Sequence, residues 1–205
     1  MQKSKSKAVC LMVLAELSFS VMQLFVKLSS AEVGTFEQVF FRNLVSLLIA
    51  GVMVRRERLN IVREVRQGKW AVWGRSFFGF VGMLFFFYAA NHAPQANVAM
   101  LNRASPVFVL VFAAIFLKEK ITPVKVGAIT LCFLGAYIAM QPSFDSNPLP
   151  LFCALMAAVV SGAAYTMLSY CKNMMHPSAV IFHFSAFSTV CAGILMLPSM
   201  VRPSP

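Results

Sequence analysis

Apolar residues in this chain come in long blocks rather than in alternation with polar ones. Seven predominantly apolar stretches, 8–28, 36–54, 71–90, 96–117, 123–140, 149–170 and 178–198, are separated by short polar segments. A helix rising ~1.5 Å per residue needs about 20 residues to cross a hydrocarbon core of ~30 Å. Each block therefore predicts one membrane-spanning helix, the fifth being the shortest. The fold class that follows is an all-α integral membrane protein, a polytopic helical bundle.

Composition narrows the alternatives. Of the 205 residues, 59% are hydrophobic and only 12% charged, with 20 Phe and 13 Met, whereas a soluble domain averages about a quarter charged residues. A water-soluble globule, a disordered chain and a disulfide-stapled secreted fold are all excluded. The formal net charge of +11 would point to nucleic acid in a soluble protein, but here the basic residues sit between the apolar blocks. No nucleic-acid partner is expected; the partner is the lipid bilayer. Cys10, Cys132, Cys153, Cys171 and Cys191 form no C-x-x-C pair and are odd in number, so they read as packing residues and no metal site or cofactor is expected.

The basic residues also set the orientation. Lys3, Lys5 and Lys7 precede the first block, and the second connection carries Arg55, Arg56, Arg58, Arg63, Arg66 and Lys69. Lys118, Lys120 and Lys125 mark the fourth, and Lys172 the sixth. The intervening connections carry no lysine or arginine, with His92 in the second and Asp145 in the third, so counting positive charge places the N-terminus in the cytoplasm. The basic start is like that of a signal peptide, but the apolar stretch behind it is too long and lacks an A-x-A-like cleavage site, which leaves it as the first span. Segment 55–70 mixes its arginines with Leu59, Ile61, Val62 and Val65. It reads either as a determinant of topology or as a short basic helix lying on an anionic leaflet.

Blocks one and two can be laid over blocks six and seven at an offset of 141 residues, which matches Val39 with Val180, Phe41 with Phe182 and Arg42 with His183. A repeat of five helices, an odd number, makes the second copy enter the membrane in the opposite direction, and such inverted repeats place the substrate site between the halves near the midplane. The run Asn91-His92-Ala93-Pro94-Gln95-Ala96-Asn97-Val98-Ala99-Met100-Leu101-Asn102-Arg103-Ala104-Ser105-Pro106-Val107-Phe108, closed by Phe116-Leu117-Lys118-Glu119-Lys120, resembles the fourth helix of EamA-type transporters of the drug/metabolite transporter superfamily. Phe41-Arg42-Asn43 and Gly74-Arg75-Ser76 are similar to arginine-bearing positions of that family. The resemblance covers about residues 8–141 and is thinner beyond.

What the resemblance implies is a carrier of ten helices, five plus five, moving small metabolites across a plasma membrane. On that reading 1–142 is the first EamA repeat, with helices one to five, and 143–205 is an incomplete second repeat with helices six and seven. The expectation is then a fragment of a longer carrier, a chain that pairs with itself or with another membrane chain, or a truncated copy without transport of its own.

Charges inside a span cost about 2.5 to 3.5 kcal/mol each on insertion scales, so each needs an explanation. Glu16 lies near the midplane of the first helix, and its Leu14-Ala15-Glu16 context resembles the first helix of the small multidrug resistance proteins. That likeness implies a group shared between protons and cationic substrates; the alternative is a plain ion-pair partner. Arg103 reaches a similar depth in the fourth helix, so it either pairs with Glu16 or docks a carboxylate or phosphate. Pro106 removes a backbone hydrogen bond and kinks that helix. Arg42 lies inside the second helix with Glu37 five positions before it, and Arg75 enters the third helix near its cytoplasmic end, where it either snorkels to phosphates or pairs internally. Tyr88, Tyr137 and Tyr165, with Asn97 and Asn102, carry polar atoms that need partners at depth. His183 could titrate near neutral pH or be satisfied locally.

No H-E-x-x-H, no G-x-S-x-G and no paired aspartates occur within the blocks, so a membrane enzyme is not expected. The function expected is a secondary transporter, an exporter of small organic metabolites or drugs working by alternating access with proton exchange at Glu16. A non-transporting membrane protein or partner subunit is the alternative.

Overall fold

The computed structural model describes residues 2–29, 33–118, 122–140, 148–172 and 174–200, and their side chains except at 2–8, 139–140 and 198–200. Among these residues the chain forms nine helical segments: α1 (Gln2–Ser29), α2 (Thr35–Arg56), α3 (Ile61–Gln67), α4 (Lys69–His92), α5 (Gln95–Asn102), α6 (Ser105–Phe116), α7 (Pro123–Met140), α8 (Pro148–Cys171) and α9 (Pro177–Met200). Six helical stretches are long and apolar enough to cross a membrane, α5 and α6 counting together as Gln95–Phe116; the apolar part of α7, Pro123–Ile138, is shorter. The chain is a polytopic helical membrane protein. Lys3, Lys5 and Lys7 lie outside the described side chains, and Lys120, Asp145 and the tail 201–205 outside the described residues.

Two antiparallel pairs form the centre of the bundle. In one, α4 lies along α8, with Gly74 facing Met167 and Gly82 facing Ser161. In the other, α2 lies along α9, with Gly51 facing Phe182 and Phe40 facing Gly193. Lipid is as apolar as leucine, so helices associate through close backbone approach, which small residues permit. Helix α8 supplies such a face: Ala154, Ala157 and Ala158 are fully buried. At Gly162 a Cβ would come within 2.6 Å of Phe108 Cβ and 3.1 Å of the backbone beyond it, so only glycine lets α6 run parallel to α8 at this distance. Outward-facing residues such as Leu11, Leu14, Leu48 and Ile194 are apolar and exposed, as a lipid-facing surface requires.

Polar groups close both ends of the bundle. At the end carrying the connection between α4 and α5, Lys27 Nζ donates to the carbonyls of Ala90, Asn91 and Ala93 at 3.2–3.3 Å, taking up orphan acceptors at the C-terminus of α4. Gln38 donates to Val26 O at 3.0 Å, and Asn91 donates to Gln38 at 3.0 Å and to Thr35 at 2.9 Å, which ties α1, α2 and α4 together.

The opposite, basic end holds α3. Asn60 caps it by accepting from the Arg63 N–H at 3.2 Å. Arg58 before it takes φ +53° and closes α2, with Leu59 N bonded to Val54 O and Arg58 N to Arg55 O, a Schellman turn built on arginine rather than glycine. Segment 55–70, which the sequence left open between a topology determinant and a leaflet-bound helix, is partly docked on protein. Ile61 and Val65 pack against a cluster containing Val72, Cys171, Met175 and Val180, while Arg63 and Arg66 stay exposed. Glu57 and Glu64 reach across to the turn between α8 and α9: His176 Nδ1 lies 3.2 Å from Glu57 Oε2, and the His176 N–H donates to Glu64 Oε2 at 2.8 Å.

The fourth apolar block departs from one kinked helix. It is two helices, α5 and α6, interrupted at Arg103 and Ala104. Pro106, near the start of α6, has no N–H to give the Asn102 carbonyl four residues earlier. The chain tightens instead: Arg103 N bonds both Ala99 O and Met100 O, and Ala104 N bonds Leu101 O.

Candidate functional site

The interruption of α5 and α6 opens onto a cavity of about 830 Å3 between α1, α5, α6, α7 and α8. Arg103, at the break, lies ~12 Å along the axis from the start of α5 and turns its guanidinium toward α1. There Arg103 meets Glu16 at 3.8 Å. Both side chains remain more than half exposed, 57% for Arg103 and 66% for Glu16, so the pair is loose and open to whatever fills the cavity. Lys125 brings a further cation, and Ser20, Gln23, Asn102, Ser105, Ser161 and Tyr165 add polar atoms to walls otherwise made of residues such as Phe19, Val109 and Leu110. A chamber that joins apolar walls to convergent polar and charged groups is the composition of a small-molecule site.

The cavity gathers Glu16, Arg103, Asn102, Tyr165 and Pro106 from the sequence candidates and leaves the others elsewhere. Arg42 sits in α2, where its Nε donates to Met22 Sδ at 3.3 Å and an Nη to Met83 Sδ at 3.2 Å, with its guanidinium 5.9 Å from the Phe87 ring centre. Asn97 is fully buried in α5. Tyr88 stacks on His92 at 4.4 Å. Tyr137 is exposed on α7. His183 shares a 2.8 Å hydrogen bond with Ser76 and is met edge-on by Trp73 at 4.8 Å. Among the described residues no group of three His, Cys, Asp or Glu side chains could hold a metal ion.

Sequence reasoning did not single out Ser161 or Gln23, both in the wall. Ser161 was findable in principle: Ser161-Gly162 is a polar and small pair in the middle of an apolar block, a sign of close helix approach. Tyr165 lines both this cavity and a second one of about 390 Å3 that runs along α8 toward Lys172 and Met175 at the basic end. It therefore forms a wall common to the two.

A helical membrane bundle with a polar chamber at a broken helix is the architecture of a membrane transporter of small molecules. The chain belongs to the EamA-like transporter family, whose family model matches residues 6–141. Among relatives, the Pseudopaline exporter CntI of Pseudomonas aeruginosa is 32% identical over 96% of this chain and 68% of its own length. An uncharacterized transporter of Helicobacter pylori is 23% identical over 91% of this chain and 63% of its own. The Riboflavin transporter of Brucella anthropi is 29% identical over 58% of this chain and 42% of its own. No solved structure matches the chain. Family and relatives alike point to transport rather than to an enzyme.

Proposed function

We propose that this chain is an exporter of small organic solutes in a bacterial inner membrane, N-terminus cytoplasmic, working by alternating access, with solute and proton competing for the Glu16 and Arg103 pair. The observation that carries this reading is the 3.8 Å pair set at a helix break, with both partners exposed to one chamber. A loosely held ion pair can open for a polar or charged solute and close again when it leaves, and its carboxylate can hold a proton in the interval. The direction rests on the similarity to a protein named an exporter; the orientation rests on the positive residues at the end carrying α3.

The test is export from bacterial cells that express the chain. Solutes accumulating outside are compared by mass spectrometry with an empty-vector control, at external pH 6 and pH 8. The expected result is at least one solute accumulating outside in a pH-dependent way, with the accumulation abolished by Glu16→Gln at equal membrane abundance. Export that persists undiminished and pH-independent in Glu16→Gln overturns the coupling role. No export by either form overturns the carrier reading and favours a non-transporting membrane protein.

A further inference from the structure

Arg75 stands apart from the other two arginines of the spans. Arg103 has Glu16, and Arg42 has two methionine sulfurs and a ring. The Arg75 guanidinium lies 4.5 Å over the Phe184 ring, its Nε is buried with no hydrogen-bond partner, and among the described residues no carboxylate comes within 4.0 Å of it. Its head borders a cavity of about 200 Å3 whose other walls, Leu168, Pro177, Val180, Ile181 and Phe184, are all apolar. A cation held among apolar walls inside a membrane span is costly and marks a functional position by default. The Phe184 face beneath it and Gly79 beside one Nη hold the planar fork in place, with the guanidinium still bordering the cavity.

The cavity is not isolated. Leu168, Pro177 and Val180 also wall the 390 Å3 cavity, which shares Tyr165 with the chamber around Glu16 and Arg103. The 390 Å3 space thus shares wall residues with both the chamber and the Arg75 cavity.

We propose that Arg75 is an anion-docking position of the transport route: a carboxylate of the solute seats against its guanidinium in the cavity between α4, α8 and α9, and the chamber at Glu16 and Arg103 is the other station. The substrate class is therefore a carboxylate-bearing organic solute. The proposal rests on the carrier reading for what the docking serves, but not for whether an anion binds. A lipid headgroup phosphate offers the same oxyanion chemistry, and the test separates the two.

Binding is read by titration calorimetry, which registers occupancy of the site without relying on a reporter side chain. The full chain is purified in maltoside micelles free of phospholipid and titrated with sodium glutarate at constant ionic strength, with choline chloride and sorbitol as controls. The expected result is a saturable change with glutarate and none with the controls, lost in Arg75→Gln and partly restored in Arg75→Lys. If Arg75→Gln does not fold, Ile181→Glu decides, because its carboxylate takes the place of the ligand's and raises the half-saturating glutarate concentration at least tenfold. No glutarate response, or an equal response in Arg75→Gln, overturns the proposal. A response to phosphatidylglycerol but not to glutarate also overturns it and assigns the guanidinium to a headgroup. Export by the same chain is measured independently, so loss of the anion site leaves the carrier reading standing.

Discussion

Ser46 and Ser185 share a hydrogen bond at 2.9 Å where α2 crosses α9. Contacts on either side, Phe40 with Gly193 and Gly51 with Phe182, show that the crossing lies near the middle of both helices. The two serines are 139 residues apart in the sequence. A bond at the centre of the crossing should couple the two residues energetically. Ser46→Ala and Ser185→Ala should each lower stability by about 1 kcal/mol, and the double variant by less than the sum, since neither leaves a partner behind in it. Chemical unfolding of the four forms in detergent measures the coupling; strict additivity would show that the bond contributes nothing.

Because Glu16 and Arg103 are more than half exposed, their pair should matter to transport and hardly to folding. An exposed ion pair stabilises by about 1 kcal/mol or less. Glu16→Gln and Arg103→Gln should therefore keep their melting temperatures close to that of the parent chain while export falls at least tenfold. A large drop in melting temperature in either would mean that the pair is structural.

Gly162 tests the packing of the broken helix. Gly162→Val would drive its side chain into Phe108 and the backbone beyond it, and overpacking of this sort costs about 1–3 kcal/mol. The variant should unfold at lower denaturant, and Phe108→Ala in the same chain should recover part of the loss. No recovery would mean that the strain lies elsewhere along α8.

At the basic end, the contacts of His176 with Glu57 and Glu64 join α3 to the turn between α8 and α9. Removing both acceptors with Glu57→Ala and Glu64→Ala should leave α3 attached through its apolar contacts, Ile61 and Val65 among them. Its amides should then exchange with solvent several-fold faster, while those of α4 and α8 are unchanged. Unchanged exchange in α3 would assign its docking wholly to the apolar contacts.

These elements differ in how far the sequence announces them. Block lengths placed the spanning helices because the hydrocarbon thickness imposes one scale on all of them. Depth was equally legible: counting residues put Glu16 and Arg103 at similar levels, and they lie 3.8 Å apart. Rotation about the helix axis was not. A helix apolar on every side carries no stripe to say which way Tyr88 or Tyr165 faces, so the same argument served both, yet only Tyr165 reaches the cavity. Pro106 announced a disturbance, but the interruption falls at Arg103 and Ala104, where the missing N–H is felt, rather than at the proline itself. The docking of α3 was hidden because its partner residues, Cys171 and Met175, lie more than 100 positions away in the sequence.

Lys27 gives α1 a mechanical asymmetry. Three bonds from one ammonium fasten that end of the helix to the end of α4, while residues from Val9 to Ser18 are exposed. A rod clamped at one end moves most at the other. Glu16 lies 11 residues from the clamp, ~16 Å along the axis, so a tilt of ~10° about Lys27 would carry its carboxylate ~3 Å sideways. That displacement is comparable to its separation from Arg103, so a small swing of a single helix is enough to make or part the ion pair while the α4–α8 core stays still.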